Sequence, residues 1–104
     1  MARLIWAEPA LADLDEIAEY IALDDSRAAA RRVNKVFDRV ERLERFPNSG
    51  KRPGELIDTP YREVVVPPCR IFYRVDHELV YILYIMRSER LLRAWRLESR
   101  EQEL

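Results

Sequence analysis

Seven arginines late in the chain could do chemistry: Arg62, Arg70, Arg74, Arg87, Arg90, Arg93 and Arg96. They sit at the ends and edges of three apolar runs. A guanidinium offers a planar fork of donors suited to phosphate, to carboxylate and to stacking on aromatic rings. A basic sheet edge of this kind could stabilise phosphate charge, hold a nucleic-acid backbone or receive an acidic partner segment. The plain alternative is that these are edge charges that block strand-to-strand aggregation. Of 18 basic residues only Lys35 and Lys51 are lysine, an excess of arginine that a GC-rich genome would also produce.

Other reactive groups are sparse. His77, the single histidine, lies between Asp76 and Glu78 in a predicted turn. Adjacent residues rarely share one metal ion, so a solvated turn histidine is expected and no metal site is predicted. Cys69, the single cysteine, has no histidine in a matching position to activate it and reads as a packing residue at a strand start. There is no glycine-rich phosphate loop and no Ser-His-Asp set. The carboxylates cluster on a helix rather than pairing across a cleft. No cofactor is implied and no hydrolytic arrangement of these kinds is present.

The arginines must be positioned by the elements around them. Val64-Val65-Val66, Ile71-Phe72-Tyr73 and Leu79–Met86 are β-branched and aromatic runs, separated by Pro67-Pro68 and by Asp76-His77-Glu78. They read as three strands joined by short connections, hence antiparallel. Arg62 and Val64 should share one face of their strand. Upstream, Arg3–Trp6 reads as a short strand, and Glu8 and Pro9 as a helix start. Leu14, Ile17, Ala18 and Ile21 then recur at helical spacing, with Leu11 one turn earlier. Seven acids fall between Glu8 and Asp25 with no base among them.

Ser26 is the expected N-cap of a second helix, with an apolar stripe of Ala29, Val33, Val36, Phe37, Val40, Leu43 and Phe46. Its other face carries Arg27, Arg31, Arg32, Lys35, Arg39, Arg42 and Arg45 against Asp38, Glu41 and Glu44. The tight Asp24-Asp25-Ser26 link suits an antiparallel hairpin with complementary flanks, the charges serving mainly register and solubility. A functional alternative is that the arginine face binds phosphates. Pro47-Asn48-Ser49-Gly50 stops the second helix. The loop that follows, holding both glycines, is the expected mobile segment. Leu91–Glu98 has mixed period, either a short helix or a last strand. The prediction is one α+β domain over residues 1–104, ordered β-α-α-β-β-β. A helical hairpin packs on a three- to four-stranded antiparallel sheet, the first strand joins at an edge, and a short helix or strand closes the chain.

At 104 residues, 48% of them hydrophobic, the chain can build a modest core without disulfide or metal. A formal charge of −1 argues against simple electrostatic nucleic-acid binding. One cysteine allows no intrachain disulfide. No apolar run approaches the roughly 20 residues of a membrane span, and a cytoplasmic protein is expected.

The chain resembles the RelE/ParE superfamily of bacterial toxins, the toxic halves of type II toxin–antitoxin pairs. The resemblance starts with Trp6-Ala7-Glu8-Pro9-Ala10-Leu11-Ala12-Asp13-Leu14, Ile17 and Tyr20-Ile21. It runs on through Ala29 and Leu43-x-x-Phe46-Pro47-x-x-Gly50. It closes with Tyr61-Arg62-Glu63, Arg70-Ile71-x-Tyr73-Arg74-Val75, Val80-Tyr81-Ile82-Leu83 and Arg90. Within the superfamily, RelE-like members are ribosome-dependent ribonucleases and ParE-like members inhibit DNA gyrase. Arg62, Arg70 and Arg90 fall where basic residues of the nuclease site would lie. Val64 stands where that site has lysine, and Trp95 and Arg96 replace its late tyrosine. An RNA 2′-OH must lose its proton as it attacks, and no residue here is an evident acceptor. The Trp6–Tyr20 pattern looks like ParE, although ParE-like chains often have Tyr in place of Cys69 and His in place of Arg87.

The resemblance implies a ParE-like toxin that binds DNA gyrase without catalysis. It implies a cognate ParD-like antitoxin, and a toxin–antitoxin hetero-oligomer that could bind operator DNA through the antitoxin. Arg62, Arg70, Arg87, Arg90 and Arg93 are the expected toxicity surface. The alternative is a RelE-like endoribonuclease of ribosome-bound mRNA. A third reading is a member that binds its antitoxin and has lost toxicity.

Overall fold

The chain's two covered sheet faces are visible in the computed structural model, which describes residues 1–104. The elements are β1 (Arg3–Trp6), α1 (Glu8–Ala22), α2 (Ser26–Glu41) with a 3-10 turn at Arg42–Glu44, β2 (Tyr61–Val66), β3 (Cys69–Asp76), β4 (Leu79–Arg87) and α3 (Ala94–Gln102). The mixed α+β order is as the sequence predicts. The closing element is a helix, which resolves the ambiguity of Leu91–Glu98.

β2, β3 and β4 form an antiparallel meander in which Val64 faces Ile71 and Ile71 faces Ile85. The sheet order is β1-β4-β3-β2. β1 joins at the edge, as expected, but runs parallel to β4, with Arg3 opposite Leu79 and Trp6 opposite Ile82. The sheet is therefore mixed rather than wholly antiparallel. Parallel pairing needs a long crossover, and the hairpin and meander between β1 and β4 provide it.

One face of the sheet is covered by the helical hairpin. Ala10, Leu14 and Ile17 of α1 and Val36 and Val40 of α2 meet Val64, Val66, Ile71, Tyr73, Val80, Ile82 and Ile85. The other face is covered by α3 and the segment before it, where Leu92 and Leu97 pack with Phe72, Leu83, Tyr84 and Met86. A strand buried on both faces reads as a continuous apolar run, which is the pattern of Leu79–Met86. Leu83 has no partner on β3: Phe72 faces Tyr84 and Tyr73 faces Ile82. This bulge shifts the helix-facing parity from Val80 and Ile82 to Ile85.

The N-cap of α2 is Asp25, not Ser26. Its Oδ1 accepts from the Arg27 and Ala28 amides at 3.0 and 3.1 Å, and Ser26 is the first helical residue. Both are good caps, and the link between the helices is Leu23-Asp24-Asp25, shifted back by one residue from the expected Asp24-Asp25-Ser26. The loop after α2 is pinned at its first half. Tyr73 Oη accepts from the Gly50 amide at 2.9 Å and donates to Pro47 O at 2.8 Å, and Lys51 and Glu63 exchange backbone bonds. A Cβ at Gly50 would stand 2.5 Å from Tyr73 Oη, so only glycine fits there.

Candidate functional site

The five predicted arginines do not form one patch. Arg62 lies on the helix-covered face, as its parity with Val64 requires, and donates to Gly50 O at 2.9 Å. Arg70 points from the opposite face, over the Phe72 ring at 5.0 Å. Arg87 returns to the helix side, 4.5 Å above the Tyr20 ring of α1 and 2.7 Å from Glu89. Arg90 and Arg93 are exposed on the segment that links β4 to α3, and Arg93 is the N-cap residue of α3. The structure brings Arg70, Arg87 and Arg90 to one end of the sheet and leaves Arg62 apart.

Arg70 is engaged within the fold. Its guanidinium forms a two-bonded pair with Glu55 at 2.9 and 3.0 Å, reaches Glu63 at 2.8 Å, and donates to Arg90 O at 3.2 Å. Glu55 also accepts from the Leu92 amide at 3.1 Å. The Arg70 hydrogen bond holds the Glu55 carboxyl down to about 2, against its burial, and the same contact raises Arg70. Glu63 is 3% exposed, so its charge would be costly without this partner. This cluster ties the Glu55 loop, β3 and the Arg90–Leu92 segment into one unit.

β1 ends opposite Ile82, so the last part of β4 has an unpaired edge. Side chains close its first stretch. Asp13 Oδ2 accepts from the Ile85 amide at 3.1 Å, and Arg100 donates to the bulged Leu83 carbonyl at 2.8 Å. Asp13 and Arg100 bind each other at 2.9 Å through two bonds. An ion pair from α1 and α3 thus stands where a strand would be. In the sequence Asp13 is one of seven acids between Glu8 and Asp25, and Arg100 lies beyond the Leu91–Glu98 stretch. No local pattern reveals this pair, because its members are 87 residues apart.

Beyond that pair an open groove of about 290 Å³ runs between α1 and β4, lined by Glu16, Ile17, Tyr20, Ile85, Arg87 and Arg90 among others. The alternation of a strand directs the Ile85 carbonyl and the Arg87 amide to the same side as the Ile85 amide. The groove therefore combines an open strand edge, one aromatic wall and cationic ends. Tyr20, Leu91 and Trp95 near it are 57%, 61% and 57% exposed. Cys69 is buried at the start of β3 as expected, and burial pushes its thiol up to about 11, which suits packing and not nucleophilic attack. His77 is an exposed turn residue at φ 55°, its Nδ1 2.7 Å from Asp76.

Residues 4–92 match the family described as the ParE toxin of the type II toxin–antitoxin system parDE. The matched stretch ends before Arg93 and α3. The protein Y4kP of Sinorhizobium fredii, a toxin by name, is 42% identical over 88 residues, covering 83% of this chain and 88% of the relative. Toxin RelE2 of Caulobacter vibrioides is 37% identical over 92 residues, covering 88% of this chain and all of the relative. A solved chain from the chromosomal ParDE toxin–antitoxin system of P. aeruginosa superposes with a TM-score of 0.71 at 26% identity, covering 86% of this chain and 98% of that one.

Proposed function

We propose that this chain, which belongs to the ParE toxin family of type II toxin–antitoxin systems, inhibits DNA gyrase by binding it through the segment from Arg87 to Arg93. The observation that carries this reading is the division of labour among the arginines. Arg70 is spent inside the fold, where it holds the Arg90 carbonyl while its partner Glu55 holds the Leu92 amide. Arg90 and Arg93 are left exposed without a carboxylate partner. A rigid support with free cationic tips suits recognition of an acidic surface. In this reading a ParD-like antitoxin lays an acidic, partly apolar segment over the groove beside Tyr20, Leu91 and Trp95, and neutralises the toxin by covering the same tips. The site of action is the cytoplasm, where gyrase is; no helix of the chain is long and apolar enough to cross a membrane.

The test is plasmid supercoiling by purified gyrase with increasing toxin, resolved on a gel. Loss of supercoiling is expected. The triple variant Arg87→Ala, Arg90→Ala, Arg93→Ala should weaken inhibition about tenfold or more, with unchanged melting. Unimpaired supercoiling by the folded wild-type chain overturns the reading.

The name of the Caulobacter relative favours a second reading, cleavage of ribosome-bound mRNA. Such a reaction needs a proton acceptor among Arg62, Arg70 and Arg90. The carboxylates nearest Arg70 are Glu55 and Glu63, both bound to it. A Glu55 carboxyl held near 2 is a weak base. Cleavage of mRNA by programmed ribosomes with added toxin would reverse this ranking.

A further inference from the structure

The basic face of α2 and of the turn after it makes no ion pair within the fold. Arg27, Arg31, Arg32, Lys35, Arg39 and Arg42 project within an arc of about 140° at about 100° per residue. Asp38 is the single acid in that arc. None of the six takes part in an ion pair, and no ion pair joins α2 to the acidic α1. The one acid of α1 that is paired, Asp13, is taken by Arg100 of α3. Five of the six are exposed and Arg39 is half-buried. Two are oriented without being neutralised: Arg32 donates to Pro67 O at 3.1 Å and Arg39 to Ser49 Oγ at 3.3 Å. Burial first, and then the neighbouring Arg42 charge, push Arg39 below its usual value.

We infer that this stripe is a site for the phosphate backbone of duplex DNA, a contact separate from the Arg87–Arg93 segment and beyond the gyrase reading. Its length from Arg27 to Arg42 is about 22 Å at about 1.5 Å per residue. Duplex DNA presents one charge per about 1.7 Å of axis, so such a stripe meets several phosphates at once. Five of the six residues are arginine, whose fork fits phosphate oxygens. Ala28 lies inside the arc and lets a backbone approach closely. The helical part of the arc carries no large apolar side chain. The buried core of a protein–protein contact is typically apolar, whereas a contact to a phosphate backbone needs no such core. The net charge of −1 limits long-range attraction. At 0.1 M salt a phosphate feels mainly the charges within about 10 Å, and along this stripe six cations outnumber the one acid in the arc, Asp38.

The experiment uses the purified full chain and a fluorescein-labelled mixed-sequence duplex, with anisotropy read across a salt series and no gyrase present. Binding at low salt that weakens steeply as salt rises is expected. The triple variant Arg31→Gln, Lys35→Gln, Arg42→Gln should bind at least about tenfold more weakly and flatten the log–log salt slope by about three, while Arg31→Gln alone flattens it by about one. Equal melting temperatures establish that all three proteins are folded. No binding at low salt, or a slope unmoved by the triple variant, overturns the inference. So does a triple variant that leaves DNA untouched and weakens an acidic antitoxin instead. A failed supercoiling assay would leave this result standing, because the two are measured apart.

Discussion

The arginines of the sheet and those of α2 share one side chain and opposite circumstances. On the sheet and α3, Arg70, Arg74 and Arg100 have side chains 12%, 24% and 13% exposed, and each meets a carboxylate within 3 Å. On α2 and the turn after it, five exposed bases and the half-buried Arg39 meet none. The first group is part of how the fold holds together, since each member satisfies a charge or a carbonyl that the interior could not leave bare. The second group adds little to the fold and is available to something outside it. Arginine content alone does not separate these roles; the nearest carboxylate does.

Arg70→Met is the strongest way to break the comparison. It leaves Glu55 and Glu63 without their cation, and breaking a buried pair from one side costs about 3–5 kcal/mol. Urea unfolding measures this, and a cost under about 1 kcal/mol would return Arg70 to the free group. Acid is a gentler probe of the same cluster. The Glu55 carboxyl, at about 2 in the folded chain, lies below its ordinary value of 4.5. Its stabilisation is therefore complete above pH 4.5 and is lost as pH falls from there towards 2. Unfolding midpoints followed through that window should drop, and Glu55→Gln should remove part of the slope. The smallest effect belongs to α2: Arg31→Gln and Lys35→Gln should each change stability by no more than about 0.5 kcal/mol. A loss above about 1 kcal/mol by thermal unfolding would mean that the stripe has partners within the fold.

These two groups also mark where the sequence was readable. The three meander strands were legible because Pro67-Pro68 and Asp76-His77-Glu78 punctuate β-branched runs. The hairpin was legible because Leu14, Ile17, Val36 and Val40 keep helical spacing. The direction of β1 was not, since no local pattern says which strand a four-residue segment will meet. The bulge at Leu83 is silent in a run that is apolar throughout. Arg62 and Val64 sharing a face followed from period two alone, but the placing of Arg70 depended on Glu55, a loop residue whose approach only the tertiary fold creates. The basic face of α2 was plain in the sequence, and so were the acids of α1. That the two helices would not neutralise each other was not, because the hairpin's rotation decides which flanks meet. The antiparallel hairpin was expected to have complementary flanks, and no ion pair spans them.

The parallel pairing of β1 with β4 has a consequence in time. Arg3 meets Leu79, so 76 residues must be in place before the first strand finds its neighbour. The meander and the hairpin close over short stretches and can form early, whereas this contact carries the long closure entropy that slows folding. Until it forms, β4 has an uncovered edge along its whole length, and a chain caught at that stage exposes the surface through which strands of separate molecules join.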